Sequence, residues 1–262
     1  HGANLLLNSN PKEVFKLAIE LDHYNKERQM LEKDLIKKIL IESKNNLKDP
    51  VLILQGSNWH EGIIGIVAAR LKDKFNKPVI IISINGNIGK ASARSIVGFD
   101  IGSVIIAAVQ KNILLKGGGH KMAGGFSINM PNIEIFKEFI FRKFKNINED
   151  LTQQKPLLID SKIAPSAINL EFYEKVNLLS PFGSGNPEPK FFVEDLKPVN
   201  SKIVGDKHVK SILIGGEGTS VRTIAFNATD NELGAYLLKK NNNTFNIAGK
   251  LSLNEWRGEK NV

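Results

Sequence analysis

The run Pro78-Val79-Ile80-Ile81-Ile82-Ser83 limits the fold more than any other stretch of the chain. It is almost continuously apolar and β-branched, so it predicts a strand covered on both faces, and such a strand needs a layer of structure on each side of its sheet. The neighbouring segments can supply those layers. Val51-Leu52-Ile53-Leu54-Gln55-Gly56 reads as a strand ended by glycine, and over 62–75 the residues Ile63, Ile66, Val67 and Leu71 return to helical spacing. Asn85-Gly86-Asn87 turns the chain into a strand over 88–95. An apolar helix is expected over 100–115 and a strand at Phe126-Ser127-Ile128. A helix over 133–145 turns Phe136, Phe139, Ile140 and Phe144 inward. Alternating strands and helices through 50–146 predict an α/β layered domain.

Both flanks read differently. Residues 11–45 predict one long helix. Pro11 suits a first helical turn, no Pro or Gly follows before Pro50, and Leu17, Leu21, Tyr24, Leu31, Leu35 and Ile39 recur at spacings of three and four, with Arg28 filling one heptad position. Residues 146–156 are polar and read as a linker, followed by a short strand near 157–159 and a helix over 170–179. Ser180-Pro181-Phe182-Gly183-Ser184-Gly185-Asn186-Pro187-Glu188-Pro189 then excludes regular helix or central strand and requires an ordered loop or hinge. Short runs rich in Val, Ile, Phe and Thr at 190–195, 208–214, 220–226 and 245–253, with a helix over 232–239, predict a small β-barrel of oligonucleotide-binding (OB) type. The expected domains are a connecting helix (1–49), the α/β domain (50–146), a linker with the Pro/Gly loop (147–189) and the barrel (190–262).

A formal net charge of +9 favours a polyanionic partner, because Lys and Arg that neutralise phosphates release counterions. The chain has no cysteine, which excludes disulfides, thiolate catalysis and Cys-ligated zinc. There is no run of about 18 apolar residues and no secretory pattern at the start, so the expected location is the cytoplasm. The chain opens at His1 rather than Met, on residues that already look helical, and reads as a fragment.

Candidate site residues fall in four groups. Gly117-Gly118-Gly119-His120 reads as a substrate-facing loop whose backbone N–H groups approach a phosphate or another backbone, with an imidazole directly behind it. His60 stands at the start of the 62–75 helix, a natural anion site, unless Ser57 or Asn58 simply caps that helix. Ser92 and Arg94 lie two apart on a strand and share a face, so a hydroxyl and a planar guanidinium aim together at one phosphate; Ser95 is grouped with them. In the barrel, Lys207, His208, Lys210, Arg222 and Lys250 are cations on or beside strands. Phe226 and Trp256 are placed to stack bases, unless they are core and rim residues.

Taken in order, the segments Asn25-Lys26-Glu27-Arg28-Gln29, Trp59-His60-Glu61-Gly62-Ile63-Ile64-Gly65-Ile66-Val67-Ala68, Ser92-Ala93-Arg94-Ser95 with Gly98-Phe99-Asp100, Gly117-Gly118-Gly119-His120 and Pro181-Phe182-Gly183-Ser184-Gly185-Asn186-Pro187-Glu188-Pro189-Lys190-Phe191 resemble the RecJ family of single-strand-specific 5′ to 3′ DNA exonucleases, within the DHH phosphoesterase superfamily. The resemblance implies a connecting helix and a DHH-associated α/β domain that presents substrate to a separate metal-bearing domain, followed by an OB barrel. It implies that Ser92 and Arg94 grip a terminal 5′ phosphate and that His120 sits beside the scissile phosphate. The family's manganese or magnesium ions are held by a DHH half expected before His1. No Asp-His-His triplet occurs here, so no metal ligands are expected in this chain and it is expected to be inactive alone. The barrel is expected to stop short of its last strand. Implied partners are single-stranded DNA with a 5′ end and other repair proteins, such as a helicase or a single-strand-binding protein, in recombination and repair. Two other readings are a stand-alone single-stranded nucleic-acid-binding module and a DHH-type oligonucleotide or cyclic-dinucleotide phosphodiesterase.

Overall fold

The computed structural model describes residues 1–42, 46–146, 156–216, 218–239, 243–256 and 258–262, which form two compact units, His1–Gln154 and Lys155–Val262. In the first unit, helices α1 (Gly2–Leu7) and α2 (Pro11–Glu42) precede β1 (Leu52–Ser57), α3 (Glu61–Phe75), β2 (Val79–Asn85), β3 (Ile88–Arg94), α4 (Ile101–Gln110), β4 (Lys116–His120), β5 (Ala123–Asn129) and α5 (Ile133–Lys145). The five strands make one sheet in the order β1-β2-β3-β5-β4. β1 and β2 run parallel across the α3 crossover, and the remaining pairs are antiparallel.

The sheet explains why β2 is apolar throughout. Val79 and Ile81 join Leu52, Leu54, Ile63, Val67 and Leu71 in a core under α3, while Ile80 and Ile82 point the other way into a core with Ile105 of α4 and Phe136 and Ile140 of α5. All four β2 residues are fully buried. Each such side chain contributes about 1.5–3 kcal/mol.

Several elements depart from the expected ones. The end of the expected 11–45 helix, 43–45, lies outside the described residues. In α2 only Leu35 and Ile39 of the expected stripe are buried, whereas Tyr24 and Leu31 are 48% and 44% exposed. The face turned to α3 carries Glu32 in the place expected for Leu31, because Arg28 and Arg70 neutralise it there. α4 stops at Gln110 rather than 115, since Asn112 takes a left-handed conformation (φ 56°) that ends the helix. The glycine run is not a loop: it is strand β4, at the edge of the sheet.

The second unit contains β6 (Ser161–Lys162), α6 (Leu170–Asn177), β7 (Phe191–Val204), β8 (His208–Ile214), β9 (Ser220–Ala225), α7 (Glu232–Leu238), β10 (Phe245–Gly249), β11 (Asn254–Trp256) and β12 (Glu259–Asn261). Most of the expected 146–156 linker lies outside the described residues, and the first strand forms at Ser161, not at 157–159, where Leu157 and Leu158 are exposed. β7 is far longer than the expected 190–195 run. It continues through Pro198 because the ladder shifts register between Pro198 and Asn200, where a missing N–H costs nothing. That irregularity lets the early part of β7 pair with β10 and the late part with β8, giving the curled order β10-β7-β8-β9 around Val193, Leu196, Val209, Leu213, Val221 and Leu237. Among the described residues no ladder joins β9 to β10, so the curled sheet is open, a half-barrel.

Candidate nucleic-acid interface

Residues directly opposite on neighbouring antiparallel strands project to the same face. Reading across β3, β5 and β4 on the face that α3 borders, three rows result: Lys90–Ser127–Lys116, Ser92–Gly125–Gly118 and Arg94–Ala123–His120. Small side chains fill the middle column, and the margins carry Lys, Arg, His or Ser at every position except Gly118. Two strand spacings separate Arg94 from His120, roughly 10 Å. A sheet surface of this kind suits a phosphodiester backbone, with a small-residue floor and donors along both sides.

The wall beside this floor is α3. Glu61, Gly62, Gly65, Ile66, Ala69, Arg70 and Asp73 line a cavity of about 450 Å³ together with Ser92 and Arg94. The turn that starts the helix is fixed by the Trp59 carbonyl, which accepts from Ser83 Oγ at 2.5 Å. Gly65 is what lets α3 come this close: a Cβ there would lie 3.1 Å from both Arg94 Nη2 and Ser92 Oγ. Arg94 Nη1 donates to Ser92 Oγ at 3.1 Å and to the Ala93 carbonyl at 2.8 Å, which orients the half-buried guanidinium into the cavity. On the rim, Lys90 Nζ donates to Glu61 Oε2 at 2.8 Å, and Lys72 pairs with Asp73.

The expected site residues divide. Ser92, Arg94 and His120 share the face. His120 is exposed, and its Nδ1 accepts from Met122 N at 3.4 Å, which leaves Nε2 as the nitrogen available to a ligand. Of the three glycines only Gly118 faces the floor. A Cβ at Gly117 would lie 2.7 Å from Phe126 Cβ, and one at Gly119 2.4 Å from the Ala123 carbonyl oxygen, so those two serve close packing rather than phosphate approach. His60 is itself the cap of α3, its Nδ1 accepting from Gly62 N at 3.1 Å; neither Ser57 nor Asn58 caps the helix. Ser95 is corrected outright. It is 1% exposed and its hydroxyl donates to the Phe99 carbonyl at 2.6 Å, so it holds a turn and cannot reach a ligand.

In the second unit, the face of β8 and β9 turned away from the core carries His208, Lys210 and Arg222, with Lys202 opposite Lys210 on β7. Phe226 follows β9 and is 66% exposed, its ring edge-on to His208 at 5.2 Å. It is not a core residue. His208 Nδ1 accepts from Asn227 N at 2.9 Å, and Arg222 Nη1 donates to Asn261 Oδ1 at 3.0 Å. Lys207 is exposed in the turn between β7 and β8, whereas Lys250 is tied to Glu188 at 2.8 Å. The backbone of Trp256 belongs to β11, and its side chain lies outside the described residues. Sequence reasoning missed Lys90, Lys116, Ser127 and Lys202. Period-two alternation marks the faces of a strand, but only the register shows which strands lie side by side. Among the described residues no three His, Asp or Glu side chains converge as a donor set for a divalent ion.

Two family models match the chain: the DHHA1 domain at residues 48–146 and the RecJ OB domain at 159–262. Among curated relatives, the single-stranded-DNA-specific exonuclease RecJ of Haemophilus influenzae is 30% identical over 100% of this chain and 46% of its own length. The protein of the same name from Bacillus subtilis is 29% identical over 99% of this chain and 33% of its own. The chain thus spans between a third and a half of these relatives. The crystal structure of RecJ in complex with Mg2+ from Thermus thermophilus superposes with a TM-score of 0.74 at 26% identity, covering 98% of this chain and 38% of that one. A Mn2+ complex of RecJ from the same organism gives 0.73 at 26% identity, over 98% of this chain and 36% of that one. With a DHHA1 domain followed by a RecJ OB domain along most of its length, the chain belongs to the RecJ family.

Proposed function

We propose that this chain seats the 5′ end of a single DNA strand for a RecJ-type exonuclease that works 5′ to 3′ in cytoplasmic recombination and repair. The observation that carries the reading is the register that sets Ser92, Arg94 and His120 on one open face of the sheet. The Arg94 fork and the Ser92 hydroxyl hold the terminal phosphate, a planar donor pair matched to its oxygens. His120, two strands away, donates from Nε2 to a non-bridging oxygen of the phosphate under attack, where charge develops. A divalent ion, manganese or magnesium, would activate water in such a reaction. In this reading the ion is held by another part of the full-length protein, and this chain alone is expected not to cut. In the second unit Phe226 stacks a base while Lys210, Lys202 and Arg222 follow the backbone, the mix of ring and cation that single strands favour.

The test is digestion of a 5′-phosphorylated single strand by the full-length protein. Arg94→Ala is expected to raise KM, and His120→Ala to lower kcat by about a hundredfold with KM little changed. Parental rates for both variants at subsaturating substrate would refute the reading.

A further inference from the structure

Among the described residues Glu32 is the only charged side chain that is buried, at 7% exposure. A carboxylate so placed persists only when paired and hydrogen-bonded. Both oxygens are used: Arg28 Nη1 donates to Oε2 at 2.9 Å and Arg70 Nε donates to Oε1 at 3.0 Å. The two arginines differ in what remains. Arg28 also spends Nε and Nη2 on Asn25 Oδ1, at 3.3 and 2.9 Å, within its own helix. Arg70 touches Glu32 only through Nε and lines the cavity that contains Ser92 and Arg94.

Charges around the cavity add to a definite sum. Glu61 is neutralised by Lys90 and Asp73 by Lys72. Arg28 and Arg70 against the single charge of Glu32 leave one positive charge over, and Arg94 adds a second. A phosphate monoester carries close to two negative charges at pH 7, whereas a diester carries one and a hydroxyl none.

We propose that Arg70 is a second phosphate-binding guanidinium of this cavity, positioned by Glu32 from α2, and that Arg70 and Arg94 together select a strand ending in a 5′ phosphomonoester over one ending in a hydroxyl. The inference rests on the reading that the cavity takes the 5′ end. Arg94 meets the phosphate from the sheet and Arg70 from α3, so the terminal group is held from two sides. Glu32 is a positioning residue that never meets the strand: it fixes the Nε edge of Arg70 and leaves the terminal nitrogens for the ligand.

The experiment measures KM and kcat of the full-length protein on two oligonucleotides of one sequence, one with a 5′ phosphate and one with a 5′ hydroxyl. Arg70→Ala is expected to raise KM about tenfold on the phosphorylated strand, the worth of one charge-assisted hydrogen bond, and to leave the hydroxyl strand within about twofold. Glu32→Gln is expected to act in the same direction by about threefold with kcat unchanged, and Arg70→Lys, which keeps the charge but loses the fork, to fall between. Equal effects of Arg70→Ala on both strands, no effect on either, or a parent indifferent to the end overturns the proposal. Arg94→Ala, run beside these, tells the two readings apart. If it is end-selective while Arg70→Ala is not, only the role of Arg70 fails; if Arg94→Ala is not end-selective, the seating of the 5′ end in this cavity fails with it.

Discussion

Gly65→Ala sets two demands on α3 against each other. Alanine is favoured over glycine in a helix interior by about 1 kcal/mol, so the change stabilises α3 taken alone. The new Cβ, however, would sit 3.1 Å from Arg94 Nη2 and 3.1 Å from Ser92 Oγ, tighter than a carbon normally approaches either atom. The guanidinium is the flexible end of its side chain and yields by a few tenths of an ångström, at the expense of the 3.1 Å bond from Arg94 Nη1 to Ser92 Oγ. That loss, about 0.5–1.5 kcal/mol, offsets the helix gain, so stability is expected within about 0.5 kcal/mol of the parent and Tm within about 2 °C. Binding has no such compensation. With the donor pair displaced, KM for a 5′-phosphorylated strand is expected to rise about tenfold, one charged hydrogen bond. Thermal unfolding followed by circular dichroism, together with steady-state digestion by the full-length protein, reads both quantities. A Tm lowered by many degrees would show that α3 meets β3 through something less yielding than a guanidinium, and an unchanged KM would show that the Ser92–Arg94 pair is not where the strand is held.

Four further outcomes concern the core, a helix cap and the second unit. Phe136→Ala empties a fully buried site between α5 and the sheet and is expected to cost about 3–5 kcal/mol, read as a lowered denaturation midpoint. Asp100 caps α4 by accepting from Ser103 N at 3.0 Å, and that N–H holds its carboxyl below the usual aspartate range. The folded pKa is therefore the lower one, so the cap's contribution is full above the ordinary aspartate pKa and fades as pH falls through the folded value; Asp100→Asn should flatten the acid limb of the stability curve. In the second unit, Phe226→Ala is expected to weaken single-strand binding by about 1–3 kcal/mol with the salt slope unchanged, whereas Lys210→Ala should reduce that slope by about 0.7.

Local rules found most elements of the first unit because there they agree with the packing. The inward side chains of α5, Phe136, Phe139 and Ile140, recur at helical spacing, and the helix forms over Ile133–Lys145 as that spacing predicts. The apolar stretch at Val79–Asn85 needs two cores and has them. Where the reading failed, a distant partner decided. Glycine by itself suggests a turn, and nothing local says that Gly117 and Gly119 lie flat because Phe126, Ile105 and Ala123 press on them. Leu31 belongs to the expected apolar stripe, yet it is exposed while the adjacent Glu32 is buried against Arg70, 38 residues further along. Ser95 belonged to a recognisable motif, but its hydroxyl turns inward to Phe99. Ser92 and Arg94 were legible as a pair from their spacing. Their alignment with His120 was not, since it depends on the ladders β3–β5 and β5–β4.

The turn at Lys121-Met122 links β4 to β5, and its own carbonyls accept from Ile101 N and Ser95 N, so it is pinned at both residues. Side chains alternate along a strand, so inserting one residue there would slide β4 by one step against β5 and swing the imidazole to the opposite side of the sheet. Such an insertion would also bring side chains into the positions that Gly117 and Gly119 leave bare against Phe126, Ile105 and Ala123, so the close packing of β4 would fail together with the alignment of His120 and Arg94. The length of this hairpin thus acts as a gauge that holds His120 in the same row as Arg94.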